Sequence, residues 1–401
     1  MSGFPDKPIL QILFVSPRWG DPFELRSGGS QRTNLLLQAC SSCGKVDVIC
    51  FAEVSSHSSL GCDAQIVYWQ HIPPMRKEGD RWHKLLDLFS ACSIGSKRHV
   101  DPRKEQVVDA FVSKKHYDWI VTRYMSEALT MGLMKYADRL VVDIDDSPVD
   151  KAMDFVKLAG TPRNKVYLWL QALATRAAFR RFIDKVAITA LSDYRQALRY
   201  RTRFLPNLPF NTVTAPEVSL DKAQNGHILF VGNLSYYANH LGMDHFMTHV
   251  YPFLKKRKGL EMHICGQGLD DDLEKKWNAM EGVRIMGYVP DIVREYADAE
   301  IVVIPIYHGA GTCIKVLEAM QMHRLVITTP KGIRGYDDFF TPGVDYLLAK
   351  DDRSFVSMIE EALGNVPLQT RLTEHAAKVV EKNYSKDFLF DRVKDMLSSD
   401  R

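Results

Sequence analysis

Thirteen short apolar runs punctuate this chain, and stretches of helical periodicity lie between most of them. The runs fall at residues 10–15, 46–51, 65–69, 119–122, 140–144, 186–190 and 203–205. A second series follows at 227–231, 260–265, 283–286, 301–305, 325–328 and 346–348. Strands that read as continuous apolar runs are buried on both faces, the mark of a parallel sheet covered by helices. Helical patterns are read at 29–39, 104–114, 123–136, 166–182 and 193–200. In the second series they are read at 240–257, 270–280, 291–297, 312–322 and 352–363, with 368–381 and 386–398 after the last strand. Residues 206–226 break the alternation with Pro206, Pro209 and Pro216 among Asn, Thr and Ser. A chain of 401 residues fits two or three domains at ~100–200 residues each. The expected fold class is α/β, with two Rossmann-like domains (1–206 and 227–385) joined by a linker at 207–226 and facing across a cleft.

The most informative single element is Gly309-Ala310-Gly311-Thr312-Cys313-Ile314-Lys315-Val316-Leu317-Glu318. It follows the strand 301–305, so it reads as strand, glycine turn, helix. Backbone N–H groups at a helix start, together with the helix dipole, favour a phosphate. Lys315 lies four residues after Gly311 and faces the same anion. Glu318 lies one turn further on and suits sugar hydroxyls. One element thus offers a phosphate end and a ribose end. Strand–glycine–helix turns also occur without a ligand, so this pattern needs the rest of the chain beside it.

Composition excludes several classes. The 46% hydrophobic and 25% charged content is that of an ordinary globular protein. No apolar run approaches the ~18 residues that span a bilayer. Residues 8–15 read as a first strand rather than a signal peptide, so a cytoplasmic location is expected. Seven cysteines fit a reducing compartment. Cys40 and Cys43 form a lone C-x-x-C better read as thiols at a helix end than as a zinc or redox pair. Residues 1–210 carry 30 basic against 22 acidic side chains, and 211–401 carry 22 against 27. The basic excess concentrates in 151–203, with Arg176, Arg180, Arg181, Lys185, Arg195, Arg199, Arg201 and Arg203 downstream of Tyr167-Leu168-Trp169-Leu170. Such a face either sits on an anionic membrane surface or is a solvated helix face. No nucleic-acid motif accompanies it, so no nucleic-acid partner is expected.

Other patterns carry less. Asp143-Ile144-Asp145 is a D-x-D at a strand end, read as cleft-facing or capping carboxylates rather than a metal site. His245 and His249 share one helix face without a third ligand. Gly266-Gln267-Gly268 lacks the third small residue of a dinucleotide fingerprint. His308 stands beside the glycine turn, to contact a donor or to cap the loop.

Taken together, the second half resembles the donor domain of a GT-B fold glycosyltransferase, closest to the retaining class called glycosyltransferase family 4, in its polysaccharide-assembly branch. The segments that carry this are Phe230-Val231-Gly232-Asn233, Ile264-Cys265-Gly266-Gln267-Gly268, Gly287-Tyr288-Val289-Pro290, the 309–320 element and Val326-Ile327-Thr328-Thr329-Pro330. They cover about residues 227–350. In the first half Gly28-Gly29-Ser30-Gln31-Arg32, Val141-Val142-Asp143-Ile144-Asp145-Asp146 and Leu205-Pro206-Asn207 resemble the acceptor domain less sharply.

The resemblance implies transfer of a sugar from a UDP- or GDP-linked donor to a hydroxyl of a glycan or lipid-linked glycan, with retention. It implies no metal or other cofactor, and a final helix, 386–401, returning to the first domain. A place at the inner face of the membrane, through 151–203, goes with such an acceptor. By position, Gly232, Asn233, Gly266, His308, Gly309, Gly311, Thr312 and Lys315 would hold the donor phosphates and sugar. Glu318 would hold ribose, and Tyr288 and Val289 the base. Gly28, Gly29 and Arg32 would approach the phosphates from the other side. Asp145, Asp146 and Lys315 are the catalytic candidates. A carboxylate acting as general base would invert the anomeric centre; a leaving phosphate that takes the proton would retain it. The family's Arg and Lys after the first donor strand are absent from 233–239, leaving Lys315 and Arg334 as substitutes. Ala310 stands where a paired glutamate is common, and Asp145 where a histidine is. Two other readings of the chain are a nucleotide-sugar epimerase on the same fold and an inactive scaffold.

Overall fold

The computed structural model describes residues 9–16, 28–51, 62–73, 100–209, 226–254 and 259–398. Two compact units result: Met1–Pro206 with Lys386–Arg401, and Asn207–Ser385. Residues 210–225, most of the expected linker, lie outside the described residues.

The first unit is a parallel sheet. Its strands are β1 (Leu10–Ser16), β2 (Gly44–Cys50), β3 (Ala64–Trp69), β4 (Trp119–Arg123), β5 (Leu140–Asp145), β6 (Ile188–Leu191) and β7 (Arg203–Phe204), in the order β3-β2-β1-β4-β5-β6-β7. Ile12, Leu13, Phe14 and Val15 are wholly buried, as a central strand between two helical layers requires. Strand order reverses between β1 and β4, which pair from Ile12↔Trp119 to Val15↔Thr122.

Three of its helices start on a side-chain cap followed by proline, whose fixed φ and missing N–H suit the first turn. Asp101 caps Pro102–Val112, Ser147 caps Pro148–Leu158 and Thr161 caps Pro162–Lys185. The helix Pro148–Leu158 was not expected; its signal was the Ser147-Pro148 pair. The helix expected at 123–136 is a correction. Arg123 completes β4, Tyr124 takes φ 64°, and the helix Met125–Thr130 ends before Gly132 at φ 70°. A 3₁₀ segment, Leu133–Arg139, follows. The helix Lys386–Ser398 packs on the helix Gly28–Ser41, and the Trp119 indole donates to the Leu397 carbonyl at 3.0 Å.

The second unit is also parallel: β8 (His227–Val231), β9 (Glu261–Cys265), β10 (Val283–Gly287), β11 (Ile301–Ile304), β12 (Leu325–Thr328) and β13 (Leu347–Leu348), in the order β10-β9-β8-β11-β12-β13. Phe230, Phe246, Met262, Ile264, Trp277, Val303 and Ile327 form its core. Order reverses between β8 and β11, paired at Ile301↔Ile228 and Val302↔Leu229. Loops leaving the carboxyl ends of such a pair diverge and open a crevice where ligands bind.

Candidate functional site

At that crevice the chain strips itself of side chains. Gly266, at φ 147°, lies so close to the Gly232 carbonyl that an added Cβ would fall 1.8 Å from its oxygen. A Cβ on Gly232 would fall 2.5 Å from Lys315 Nζ and 2.9 Å from Asn239 Nδ2. Gly309 takes φ 111°, which only glycine adopts without strain. Three glycines thus leave bare backbone at one strand-end cluster.

A cation stands over it. Lys315 Nζ donates to Asn239 Oδ1 at 2.7 Å and lies 4.5 Å from the Phe230 ring centroid. Asn239 Nδ2 in turn donates to the Asn233 carbonyl at 2.7 Å. The Asn233 side chain accepts from the Ser235 amide at 2.9 Å and hydroxyl at 2.6 Å, which fixes the loop after β8. Burial pulls Lys315 down to about 8, offset in part by Cys313 and Glu318.

The helix carrying Lys315 is Ile314–Gln321, two residues later than expected, with Cys313 at the cap position and no side-chain capping bond. Gly309, Gly311 and Thr312 therefore belong to the loop before the helix. The Thr312 hydroxyl accepts from Asn207 Nδ2 at 2.9 Å. Arg334 reaches the same loop, donating to the Gly309 carbonyl at 3.3 Å and the Gly311 carbonyl at 3.1 Å. His308 is half-buried at the turn.

Glu318 is buried at 6% exposure and accepts from the Tyr296 hydroxyl at 2.9 Å. Its carboxylate is thus steered by the helix Ile292–Asp298, where Tyr296 sits. Tyr296 is held well above its usual range by burial and then by Glu318. Tyr288 is 60% exposed just beyond β10, and Val289 is half-buried.

In the first unit the expected residues gather differently. Arg32 is buried; its Nε and Nη2 fork onto both oxygens of Asp143 at 2.7 and 2.8 Å, and it also donates to the Leu205 and Pro206 carbonyls at 2.8 Å. Arg32, expected to approach the donor phosphates, holds β5 to the segment after β7 through these bonds. Arg123, which the sequence reading put in a helix, donates to Asp143 at 2.9 Å, to Asp145 at 2.8 Å and to the Gly29 carbonyl at 2.6 Å. Burial works against the Asp143 charge, and the Arg32 and Arg123 guanidiniums overcome it, holding its pKa below the usual carboxylate value.

Gly28 and Gly29 are the first residues of their helix rather than a loop before it. Asp145 is half-buried at φ 67°, and Tyr124 beside it at φ 64°: two non-glycine residues in the left-handed region at adjacent strand ends. Such outliers mark positions the surrounding structure over-determines. Asp146 is half-buried and accepts from the Ser192 hydroxyl at 3.4 Å. The D-x-D is thus an arginine-bound cluster. His245 bonds Asp352 at 2.8 Å, and its ring lies tilted against that of His249.

Residues 225–365 match the family model described as glycosyl transferases group 1. This segment is similar to the group 1 glycosyl transferases. It contains the glycine cluster, Lys315 and Glu318. An uncharacterized 44.6 kDa protein in the cps region of Klebsiella pneumoniae is 24% identical over 182 residues, 42% of this chain and 45% of that protein. The chain thus matches about half the length of that relative. Sucrose-phosphate synthase from Thermosynechococcus elongatus superposes with a TM-score of 0.68 at 13% identity, over 96% of this chain and 98% of that one. HepE from Anabaena, in complex with UDP and glucose, gives 0.63 at 12% identity over 97% and 100%. Likeness at that coverage shows the fold: the matched segment lies in one of two Rossmann-like units of a GT-B chain.

Proposed function

We propose that the protein transfers a sugar from a UDP- or GDP-linked donor to a hydroxyl of a glycan or lipid-linked glycan, with retention, in polysaccharide assembly. The observation that carries this is the Lys315 ammonium beside the bare backbone of Gly232, after β8, where the sheet order reverses. A diphosphate fits there, met by the lysine and by the start of the helix Ile314–Gln321. HepE was captured with UDP and glucose on the same fold, and the Klebsiella relative comes from a cps region.

In the proposed reaction the bond from the anomeric carbon to the phosphate oxygen breaks, and the acceptor oxygen bonds the same face of the carbon. The acceptor proton passes to the leaving phosphate. Charge on that phosphate is the main burden, and a preorganised cation relieves it. Lys315 is assigned this role, with Arg334 shaping the loop that meets the phosphates. Glu318 takes the ribose hydroxyls while Tyr296 orients it. Asp146 is the carboxylate nearest to service for an acceptor, since Asp145 is bound to Arg123.

A lipid-linked acceptor would be met at a membrane. On the helix Pro162–Lys185, Val166, Trp169, Leu170 and Leu173 are 59, 47, 51 and 42% exposed on one face. Exposed Arg163, Lys165, Arg176, Arg180 and Arg181 flank them. No helix among the described residues is long and apolar enough to cross a membrane, so the contact would be peripheral.

The deciding experiment is thermal stabilisation with UDP, GDP, ADP, CMP, dTDP and their sugars. The donor nucleotide should raise Tm by mass action, and Lys315→Met should abolish the rise. No shift with any nucleotide would overturn the reading.

A further inference from the structure

A second cluster of chemistry lies under the sheet of the second unit, apart from the strand-end loops. His227 opens β8 and faces Glu261 on β9, with Leu229 facing His263. Side chains alternate along strands, so His227, Glu261 and His263 point to one face. The helix Ile292–Asp298 packs beside β8 and adds Glu295. The two imidazole centroids are 4.0 Å apart. One ligand atom from each of His227, His263 and Glu295 lies within 4.8 Å of the others.

The hydrogen bonds assign the nitrogens. His227 Nδ1 is 3.0 Å from the Asp298 carbonyl, which can only accept, so the proton sits on Nδ1. That leaves a bare lone pair on Nε2, buried and without a partner among the described residues. His227 is 1% exposed. A neutral imidazole with its proton on Nδ1 is the form that ligates a metal through Nε2. His263 Nδ1 lies 2.9 Å from Glu295 Oε2, and its Nε2 faces Glu261 at 3.7 Å.

We propose that His227, His263 and Glu295 form a binding site for a divalent transition-metal ion of the zinc class. The ion takes His227 Nε2, His263 Nδ1 and the Glu295 carboxylate. The 2.9 Å between His263 and Glu295 is near the ~3.3 Å that two ligands subtend on a tetrahedral ion at ~2.0–2.1 Å. On binding, the His263 proton moves from Nδ1 to Nε2, where Glu261 receives it; Arg284 steadies Glu261 through its other oxygen at 2.9 Å. The Asp298 carbonyl and Glu261 are thus the outer partners that orient metal-bound imidazoles. Cys265 also hydrogen-bonds Glu295. A nitrogen-and-oxygen donor set of this kind suits zinc, cobalt or nickel over calcium or magnesium. The ion would brace the helix that presents Tyr296 to Glu318.

The test uses the full-length untagged chain, stripped with a chelator and titrated with Co²⁺ and then Zn²⁺. One equivalent should bind, with the visible absorption of four-coordinate cobalt, and Zn²⁺ should raise Tm. His263→Gln and Glu295→Gln should each weaken binding by at least about tenfold, and His249→Gln should leave it unchanged. Circular dichroism checks that each variant is folded; if one is not, the other decides. No stoichiometric binding by the wild-type chain, or equal binding by folded Glu295→Gln, would overturn the proposal.

Discussion

The Lys315 ammonium is bound to the Asn239 side-chain carbonyl at 2.7 Å, across 76 residues of sequence. The loop after β8, between Gly232 and Asn239, carries no cation of its own. Its positive charge arrives from the helix Ile314–Gln321 and is held in place by an amide. A cation positioned before any ligand arrives need not reorganise when negative charge develops, which is where electrostatic catalysis gains most. Lys315→Met should therefore lower kcat/KM by about 10²–10³, in a transfer assay with the donor found by thermal stabilisation. An unchanged kcat/KM would remove Lys315 from the mechanism.

The same lysine sets a pH limb. Burial lowers it to about 8, so the free enzyme is fully charged only below that pH. kcat/KM should hold level below about 8 and fall as pH rises through it, up to tenfold per pH unit. Lys315→Arg should lose this limb, because guanidinium stays charged. Stability runs the other way. The unfolded lysine titrates near 10.5 and binds more protons than the folded one between about 8 and 10.5, so this group's contribution rises with pH across that window. Paired rate and melting measurements from pH 7 to 10.5 test both signs.

Two glycines of one cluster should fail differently. Gly266→Ala drives a Cβ into the Gly232 carbonyl at a positive φ, so it should destabilise the second unit by at least about 1–3 kcal/mol. Gly232→Ala meets the movable end of Lys315 first, so the fold should survive while nucleotide binding falls. Urea midpoints and nucleotide Kd values for both variants separate the two outcomes; equal midpoints would contradict the geometry.

In the first unit Asp143 is the pin of the cluster. Asp143→Asn leaves two buried guanidiniums short of their counter-charge and should cost about 3–5 kcal/mol. Asp146→Asn, at a half-buried position, should cost less stability than Asp143→Asn while lowering turnover. Chemical denaturation followed by tryptophan emission reads the first, and the transfer assay the second.

Charge reversal of Arg176, Arg180 and Arg181 should release the protein from vesicles containing anionic lipid, with neutral vesicles as the control. Retained binding would end the membrane proposal.

Much of the framework was legible because buried parallel strands announce themselves. Each of the thirteen apolar runs falls on a described strand, with ends shifted by two residues or fewer. Gly309 and Lys315 can be read together because they lie in one local element, whereas Gly232 and Gly266 follow other strands. What escaped depends on distance along the chain. Asn239, Tyr296 and Arg123 matter through partners that folding brings to them: Lys315, Glu318, and Asp143 with Asp145. The bond from Arg32 to Asp143 escaped for the same reason, the carboxylate lying 111 residues away. No local pattern separates an arginine that waits for a ligand from one spent on a buried aspartate. The 123–136 stretch misled because Arg123 and Tyr124 look helical beside Met125, whereas Tyr124 turns left-handed.

The helix Lys386–Ser398 belongs to the first unit although it follows the whole second unit in the chain. Trp119 and the helix Gly28–Ser41 therefore wait, during synthesis, until all of the second unit has left the ribosome. The second unit has every residue it needs earlier and is free to fold while the first unit is still missing a piece. A chain cut short after residue 385 would carry the whole second unit and a first unit without the helix Lys386–Ser398. The Trp119 indole would then lose the Leu397 carbonyl to which it donates.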